Sequence, residues 1–192
     1  MNQGTPRRIV VAITGASGVI YGIRTLELLG PLDGIETHLV ISNSGKTTIG
    51  LETDRSLDEI ESLADVVYGA RDISAAISSG SFRTAGMIIA PCSIKTLSAV
   101  ANSYSADLIA RAADVMLKER RPLVLMVRET PLHRGHLRLL DQAAEAGAII
   151  SPPVPAFYNH PTDLNDVINH TVGRALESFD VDVGSLKRWH GG

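Results

Sequence analysis

Cysteine, tryptophan and aromatic residues are what this chain has least of: one Cys, one Trp and 4% aromatics among 192 residues. A lone cysteine, Cys92, rules out an internal disulfide framework and fits a reducing cytosol. No apolar run approaches the ~20 residues of a membrane-crossing helix, so no span is expected. The apolar start, residues 9–14, meets Gly15 too soon for a secretory signal and reads instead as a strand. An excess of positive charge is also missing. With a formal net charge of −3 the chain has no bulk attraction for nucleic acid or an anionic membrane, so any bound anion must be held by local cations. Metal ligands are sparse as well. His133 and His136 stand three apart with no third ligand nearby in sequence, whereas metal sites need three or four, so no metal is expected.

What is abundant is aliphatic. Hydrophobic residues make up 44% of the chain, mostly Ala, Val, Ile and Leu, which suits a parallel sheet covered by helices on both faces. Strands are expected at residues 8–14, 36–41, 65–68, 86–90, 122–127 and 148–151. Helices are expected from after Gly18 to about Gly30, then at 43–51, 56–63, between 93 and 119, and at 133–146 and 163–179. Residues 73–84 are polar and irregular, with Ser78-Ser79-Gly80-Ser81 as a loop, and Pro152-Pro153-Val154-Pro155 cannot be regular structure. This alternation predicts one α/β domain over residues 1–192, doubly wound around a mainly parallel sheet.

In such a sheet ligands bind beyond the carboxyl ends of the strands, and four of those ends are polar here. The first gives Gly15-Ala16-Ser17-Gly18, where a helix begins and backbone N–H groups favour a phosphate. Ser17 fills the second glycine position of the dinucleotide fingerprint, and the second strand ends in Ser42 where a ribose-binding acid would stand. NAD is disfavoured; a mononucleotide is not. The fourth strand leads into Pro91-Cys92-Ser93-Ile94-Lys95-Thr96. Each serine is equally a helix N-cap, and Cys92, beside a buried strand, reads as a small core residue.

The densest signal is residues 111–129, RAADVMLKERRPLVLMVRE, with eight charges around an apolar strand. The strand ends in Arg128-Glu129, well placed to touch a ligand. Arg111, Asp114 and Lys118 share one helix face and are expected to point the same way. A solvated face with a strand-end salt bridge explains the same residues, and Glu119, Arg120 and Arg121 read as a solvated turn.

TGASG at 14–18, SNSGKTTIGLET at 42–53, ISSGSFRTAGMIIAPCSIKTLSAV at 77–100, RAADVMLKERRPLVLMVRETPLHRGHL at 111–137, PPVPAFYNHP at 152–161 and the terminal Arg188-Trp189 together resemble the UbiX-type flavin prenyltransferases. These are Rossmann-like flavoproteins, and the likeness covers essentially the whole chain. The resemblance implies transfer of a dimethylallyl group from dimethylallyl phosphate to N5 and C6 of reduced FMN, giving prenylated FMN for a UbiD-type decarboxylase. By the same resemblance, Gly15, Ala16, Ser17, Ser42, Ser93, Ile94, Lys95, Thr96 and Arg128 would bind FMN. Tyr158 and Arg174 would bind the prenyl phosphate, with Lys118, Arg128 and Glu129 around it. Ser17 and Glu52 would lie near N5, where a proton must move. Family members form homododecamers with sites at subunit contacts, which Trp189 in the tail would suit.

Two rival readings remain open at this point. A flavin-dependent cysteine decarboxylase relative would carry a Pro-x-Met-Asn-x-x-Met-Trp motif, and the one tryptophan, Trp189, has no such context. A non-enzymatic FMN carrier would need the pocket serines but not Lys118, Glu129, Tyr158 and Arg174 together.

Overall fold

Residues 6–184 are described by the computed structural model; the readings placed on Arg188 and Trp189 lie outside them. Six strands, β1 (Arg7–Ile13), β2 (Ile35–Ile41), β3 (Val66–Gly69), β4 (Gly86–Cys92), β5 (Leu123–Val127) and β6 (Ile149–Ile150), form one sheet in the order β3-β2-β1-β4-β5-β6. Every pairing is parallel. The order reverses direction between β1 and β4, and a doubly wound sheet opens a crevice beyond its carboxyl edge at that point.

The apolar runs of β1, β4 and β5 are buried on both sides because helices cover both faces. On one face Ile9, Val11 and Ile13 of β1 pack with α1 (Ile20–Leu29) and α7 (Leu164–Leu176), and with Ile49 of α2 (Asn43–Glu52) and Ile60 of α3 (Leu57–Glu61). On the other, Val10 and Ala12 pack with α4 (Ile94–Ala101), α5 (Leu108–Lys118) and Ala143 of α6 (Arg134–Glu145). Alternation along β1 thus sends successive side chains to opposite layers.

Two expectations need correction. The fourth strand does not stop at residue 90: it runs through Pro91 to Cys92. Proline cannot donate to a ladder, and the register against β5 shifts between Ile89 and Cys92 to accommodate it. The final helix ends at Leu176, and a 3-10 turn, Glu177–Phe179, replaces its expected last residues. The 73–84 segment is irregular as expected, apart from a 3-10 turn at Ala76–Ser78, yet it is well anchored. Arg111 Nε donates to Ser78 O at 3.0 Å, while the Arg121 guanidinium donates to Gly80 O at 2.7 Å and Phe82 O at 2.8 Å. Arg121 therefore holds a loop, and the solvated-turn reading fails for it.

Candidate functional site at the carboxyl edge

Thr14, just past β1, ties the two strands of the switch point together. Its buried hydroxyl donates to Pro91 O at 2.7 Å and accepts from Ser93 N–H at 2.9 Å. Beyond it the chain turns at Gly15. A Cβ there would collide with Ser44, so only glycine lets the β1 loop lie against the start of α2. Gly18 has φ +98°, a left-handed conformation that lets the loop enter α1.

Three helix starts face one cavity of about 390 Å³, a size suited to a cofactor. Ser42 caps α2 by accepting from Gly45 N–H at 2.9 Å, and Ser93 caps α4 by accepting from Thr96 N–H at 3.3 Å. Asp107 caps α5 by accepting from Ala110 N–H at 2.9 Å. All three caps line the cavity, with Ser44, Lys95, Thr96 and Ser98. Capping and ligand binding do not compete at a serine. The cap occupies an oxygen lone pair and leaves the proton, which is shared with a neighbouring hydroxyl. Ser42 Oγ lies 3.2 Å from Ser44 Oγ and Ser93 Oγ 3.1 Å from Thr96 Oγ1, so each pair of hydroxyls keeps a proton to turn toward a ligand. Helix N-termini and the exposed Lys95, which has no ion-pair partner among the described residues, make this cavity ready for an anion.

Beside the cavity, Glu52 reaches from the end of α2 to the β1–α1 loop. Its carboxylate accepts from Gly18 N–H at 2.8 Å, Val19 N–H at 3.2 Å and the Ser17 hydroxyl. The first residue before α1, Val19, has no side-chain cap of its own, so Glu52 supplies one from another helix. Partial burial pushes the Glu52 pKa up, but these hydrogen bonds and the charge of Arg128 outweigh it and hold the group below its ordinary value. The same Arg128 charge is felt by Tyr21, whose phenol burial pushes upward. Ser17, Glu52, Arg128 and Tyr21 therefore form one electrostatic cluster next to the switch point.

A family model described as Flavoprotein matches residues 2–175. Flavin prenyltransferase UbiX of Escherichia coli strain K12 is 60% identical over 187 residues, covering 96% of this chain and 99% of that protein. This chain belongs to the UbiX-type flavin prenyltransferases. Among solved structures of such flavin prenyltransferases, AnUbiX in complex with FMN and dimethylallyl pyrophosphate matches with a TM-score of 0.95 at 51% identity, over 97% of this chain and 99% of that one. A dodecameric FMN-dependent UbiX-like decarboxylase from Escherichia coli O157:H7 matches at 0.93 and 45% identity, over 96% and 100% of the two chains.

Not every residue read from the sequence comes together within one copy of this flavin prenyltransferase. Gly15, Ala16, Ser17, Ser42, Ser93, Ile94, Lys95, Thr96, Glu52 and Arg128 gather at the carboxyl edge, Ile94 opening α4 there with its side chain packed partly buried against the core. Glu129 is exposed beside Arg128, its Oε1 accepting from Thr130 N–H at 2.9 Å. Tyr158 lies on the segment after β6, its hydroxyl 3.0 Å from His170 Nε2. Lys118 does not point the way Arg128 does. It ends α5, which runs back against the strands, so β5 separates the two by roughly 17 Å at ~3.3 Å per residue. There its Nζ pairs with Glu119 Oε1 at 2.5 Å, against Gly80. Arg111 pairs with Asp114 at 2.8 Å. Arg174, two residues before the end of α7, pairs with Glu177, near where Arg7 of β1 holds Phe179 O.

Sequence reasoning missed Thr14, Ser44, Asp107 and His170. Asp107 preceding an apolar-periodic helix was a readable cap signal. Ser44 was unreadable, because its importance comes from Gly15, which lies far from it in sequence. Cys92 is fully buried, with its thiol pushed up to about 12 by burial, which is the inert core thiol the sequence suggested. The His133 and His136 rings meet tilted by 33°, 3.6 Å between centroids, and no group of three or more metal-ligating side chains occurs among the described residues.

Proposed function

We propose that this protein joins the dimethylallyl group of dimethylallyl phosphate to N5 and C6 of reduced FMN, giving prenylated FMN for a UbiD-type decarboxylase. The observation that carries the reading is the Ser17–Glu52–Arg128 cluster set beside an anion-ready cavity at the switch point. FMN fits that cavity chemically. Ser42, Ser93, Thr96 and Lys95 offer hydroxyl and ammonium donors at helix N-termini, which suit a phosphate and a polyhydroxyl chain. Reduced FMN supplies the nucleophilic N5 and C6. The chain supplies orientation, charge and proton handling.

Ser17 and Glu52 take the proton role. An ionised carboxylate already accepting the Ser17 hydroxyl can draw a proton through that hydroxyl from a group bound over the loop. Arg128, close enough to bias Glu52, stabilises anionic charge at the same edge. Departure of a phosphate needs several preorganised cations, and one chain gathers only some of them. Lys118 and Arg174 therefore serve the site of a neighbouring copy in a homo-oligomer, a dodecamer by likeness to the relative described above. No described helix is long and apolar enough to cross a membrane, and the lone buried thiol supports a cytoplasmic setting.

The deciding experiment incubates the protein anaerobically with reduced FMN and dimethylallyl phosphate, or the diphosphate, and weighs the flavin by mass spectrometry. A gain of one dimethylallyl unit is expected. Unmodified FMN with both donors would favour the carrier reading.

A further inference from the structure

The turn that ends α5 is built more rigidly than a surface turn requires. The N–H groups of Arg120 and Arg121 donate back to Leu117 O at 3.1 Å and Met116 O at 2.8 Å, the two bonds of a Schellman turn. Arg120 takes the left-handed position of that turn, φ +55°, where glycine is usual. The turn brings the side chains of Lys118, Glu119 and Arg121 together around Gly80. Glu119 Oε1 accepts from Lys118 Nζ at 2.5 Å, while Glu119 Oε2 lies 4.0 Å from Arg121 Nη2. The Arg121 guanidinium is not free to wander, because its side chain is 16% exposed and donates to Gly80 O and Phe82 O. A Cβ on Gly80 would meet both Lys118 Nζ and the Glu119 carboxylate, so the glycine leaves room for the pair. Phe82 fixes the far side of the loop, its ring 4.7 Å from the Arg8 guanidinium and edge-on to His38.

We propose that Glu119 is a positioning residue for Lys118: oriented by Arg121 at one oxygen, it holds the ammonium at the other, ready for the phosphate of the allylic donor. The proposal rests on the prenyl-transfer reading and on Lys118 meeting that phosphate. A lysine carries its charge on a flexible four-carbon stem, and an exposed ammonium sweeps a wide volume unless something stops it. Here stiffness is passed along a chain, from a guanidinium fixed by two carbonyls, through a shorter carboxylate, to the long amine. Holding the ammonium does not use it up. An ammonium has three protons, so one goes to Glu119 and others remain for a phosphate oxygen, which only accepts. Nor does Glu119 cancel the attraction for an anion, since the trio sets two cations against one carboxylate.

The test is calorimetric binding of dimethylallyl phosphate to the full-length assembly loaded with oxidised FMN, which lacks the nucleophile of the reduced flavin and does not turn over. Glu119→Ala is expected to weaken the donor about fivefold, the upper range for an exposed ion pair. FMN affinity should not move. Glu119→Gln keeps an acceptor at the same length and should recover most of the loss. Gly80→Ala pushes the pair off its seat without removing a charge, and should weaken the donor in the same direction. In a Lys118→Met background, Glu119→Ala should change the affinity no further. Unchanged or tighter donor binding in Glu119→Ala would overturn the proposal, because the carboxylate would then only repel the phosphate. Equal losses in both backgrounds would overturn it as well, since Glu119 would act without Lys118. A wild type that leaves reduced FMN unmodified sinks the underlying reading instead. An active wild type whose Lys118→Met variant binds the donor normally removes Lys118 from the phosphate, and Glu119 with it.

Discussion

The two edges of the sheet carry similar residues in opposite states. At the amino edge four charged groups are already paired with one another or with backbone. Arg8 binds Glu36 at 2.7 Å, Lys118 binds Glu119, Arg174 binds Glu177, and Arg121 is committed to two loop carbonyls. At the carboxyl edge Lys95 and Arg128 have no ion-pair partner among the described residues, and each capping serine shares a hydroxyl pair that keeps one proton to donate. Among these residues, the paired charges hold the fold and the unpaired ones are left for a ligand. Lys118 and Arg174 sit on the wrong edge for this rule if the chain works alone. They obey it if a second copy's carboxyl edge docks there and the exposed pairs open toward it.

The largest expected effect tests that statement. Arg128→Ala and Lys118→Ala should each reduce prenylation by about 10²–10³-fold, the usual cost of removing a preorganised charge from a developing anion. Lys118→Ala should still bind FMN as the wild type does, and Arg128→Ala should bind it more weakly but measurably, so that both are assayed at saturating FMN. Mixed by co-expression, the two inactive variants should regain activity, because some sites then draw an intact Arg128 from one chain and an intact Lys118 from the other. Failure to complement, with mixed assembly verified, would place both residues in one chain's site and break the contrast between the edges.

Much of the carboxyl edge was legible in the sequence, and the reason is local. An apolar run that stops at Ser42 or Arg128 announces a strand end, and Ser93 before a helical pattern announces a cap. Position across the sheet is not local. Helical spacing puts Arg111, Asp114 and Lys118 on one face, but a face does not say at which edge the helix finishes. That follows from the crossover: a helix joining parallel β4 to β5 must run back, so its last residue returns to the amino edge. The sheet order, the meeting of Gly15 with Ser44 and the clasp of Thr14 on Pro91 join distant segments, and periodicity carries no information about them.

Next in size is Gly15→Ala. Its Cβ collides with Ser44 at the point where the β1 loop meets α2, and overpacking of this kind costs about 1–3 kcal/mol. FMN affinity should fall along with thermal stability. Ser44→Gly in the same chain should recover part of both, since the Ser44 side chain supplies the nearest contacts. At the amino edge Gly80 also touches side chains, those of Lys118 and Glu119, but these are flexible ends that can move aside. Gly80→Ala should therefore be milder in a thermal melt than Gly15→Ala. Equal losses would mean that the two edges are equally rigid.

A smaller effect separates charge from capping within the cavity. Lys95→Met should weaken FMN about tenfold, as loss of a charge-assisted hydrogen bond suggests, and leave riboflavin binding almost unchanged because riboflavin has no phosphate. Ser93→Ala should weaken both flavins and cost about 1 kcal/mol of stability through the lost cap. Flavin fluorescence titrations distinguish the two patterns. If Lys95→Met weakened riboflavin as much as FMN, the lysine would be shaping the cavity and not reading the phosphate.

The smallest effect is in the acid limb, and it compares one carboxylate from each edge. Glu52 and Glu119 both sit below their ordinary value of 4.5, so each stabilises the fold above that pH and loses its contribution as pH falls through its lowered pKa. The causes differ. Glu119 is lowered first by its hydrogen bond to Lys118 and then by that ammonium's charge, an exposed pair that salt screens. Glu52 is lowered against its own burial, mainly by the Ser17 hydroxyl and two backbone N–H groups, short-range bonds that salt barely touches. Acid unfolding midpoints of Glu52→Gln and Glu119→Gln, taken at low and high salt, should therefore diverge. The difference between Glu119→Gln and wild type should shrink in high salt, while that of Glu52→Gln should persist. Loss of both differences in high salt would show Glu52 to be held chiefly by the Arg128 charge, and its tie to the Ser17 loop would then be secondary.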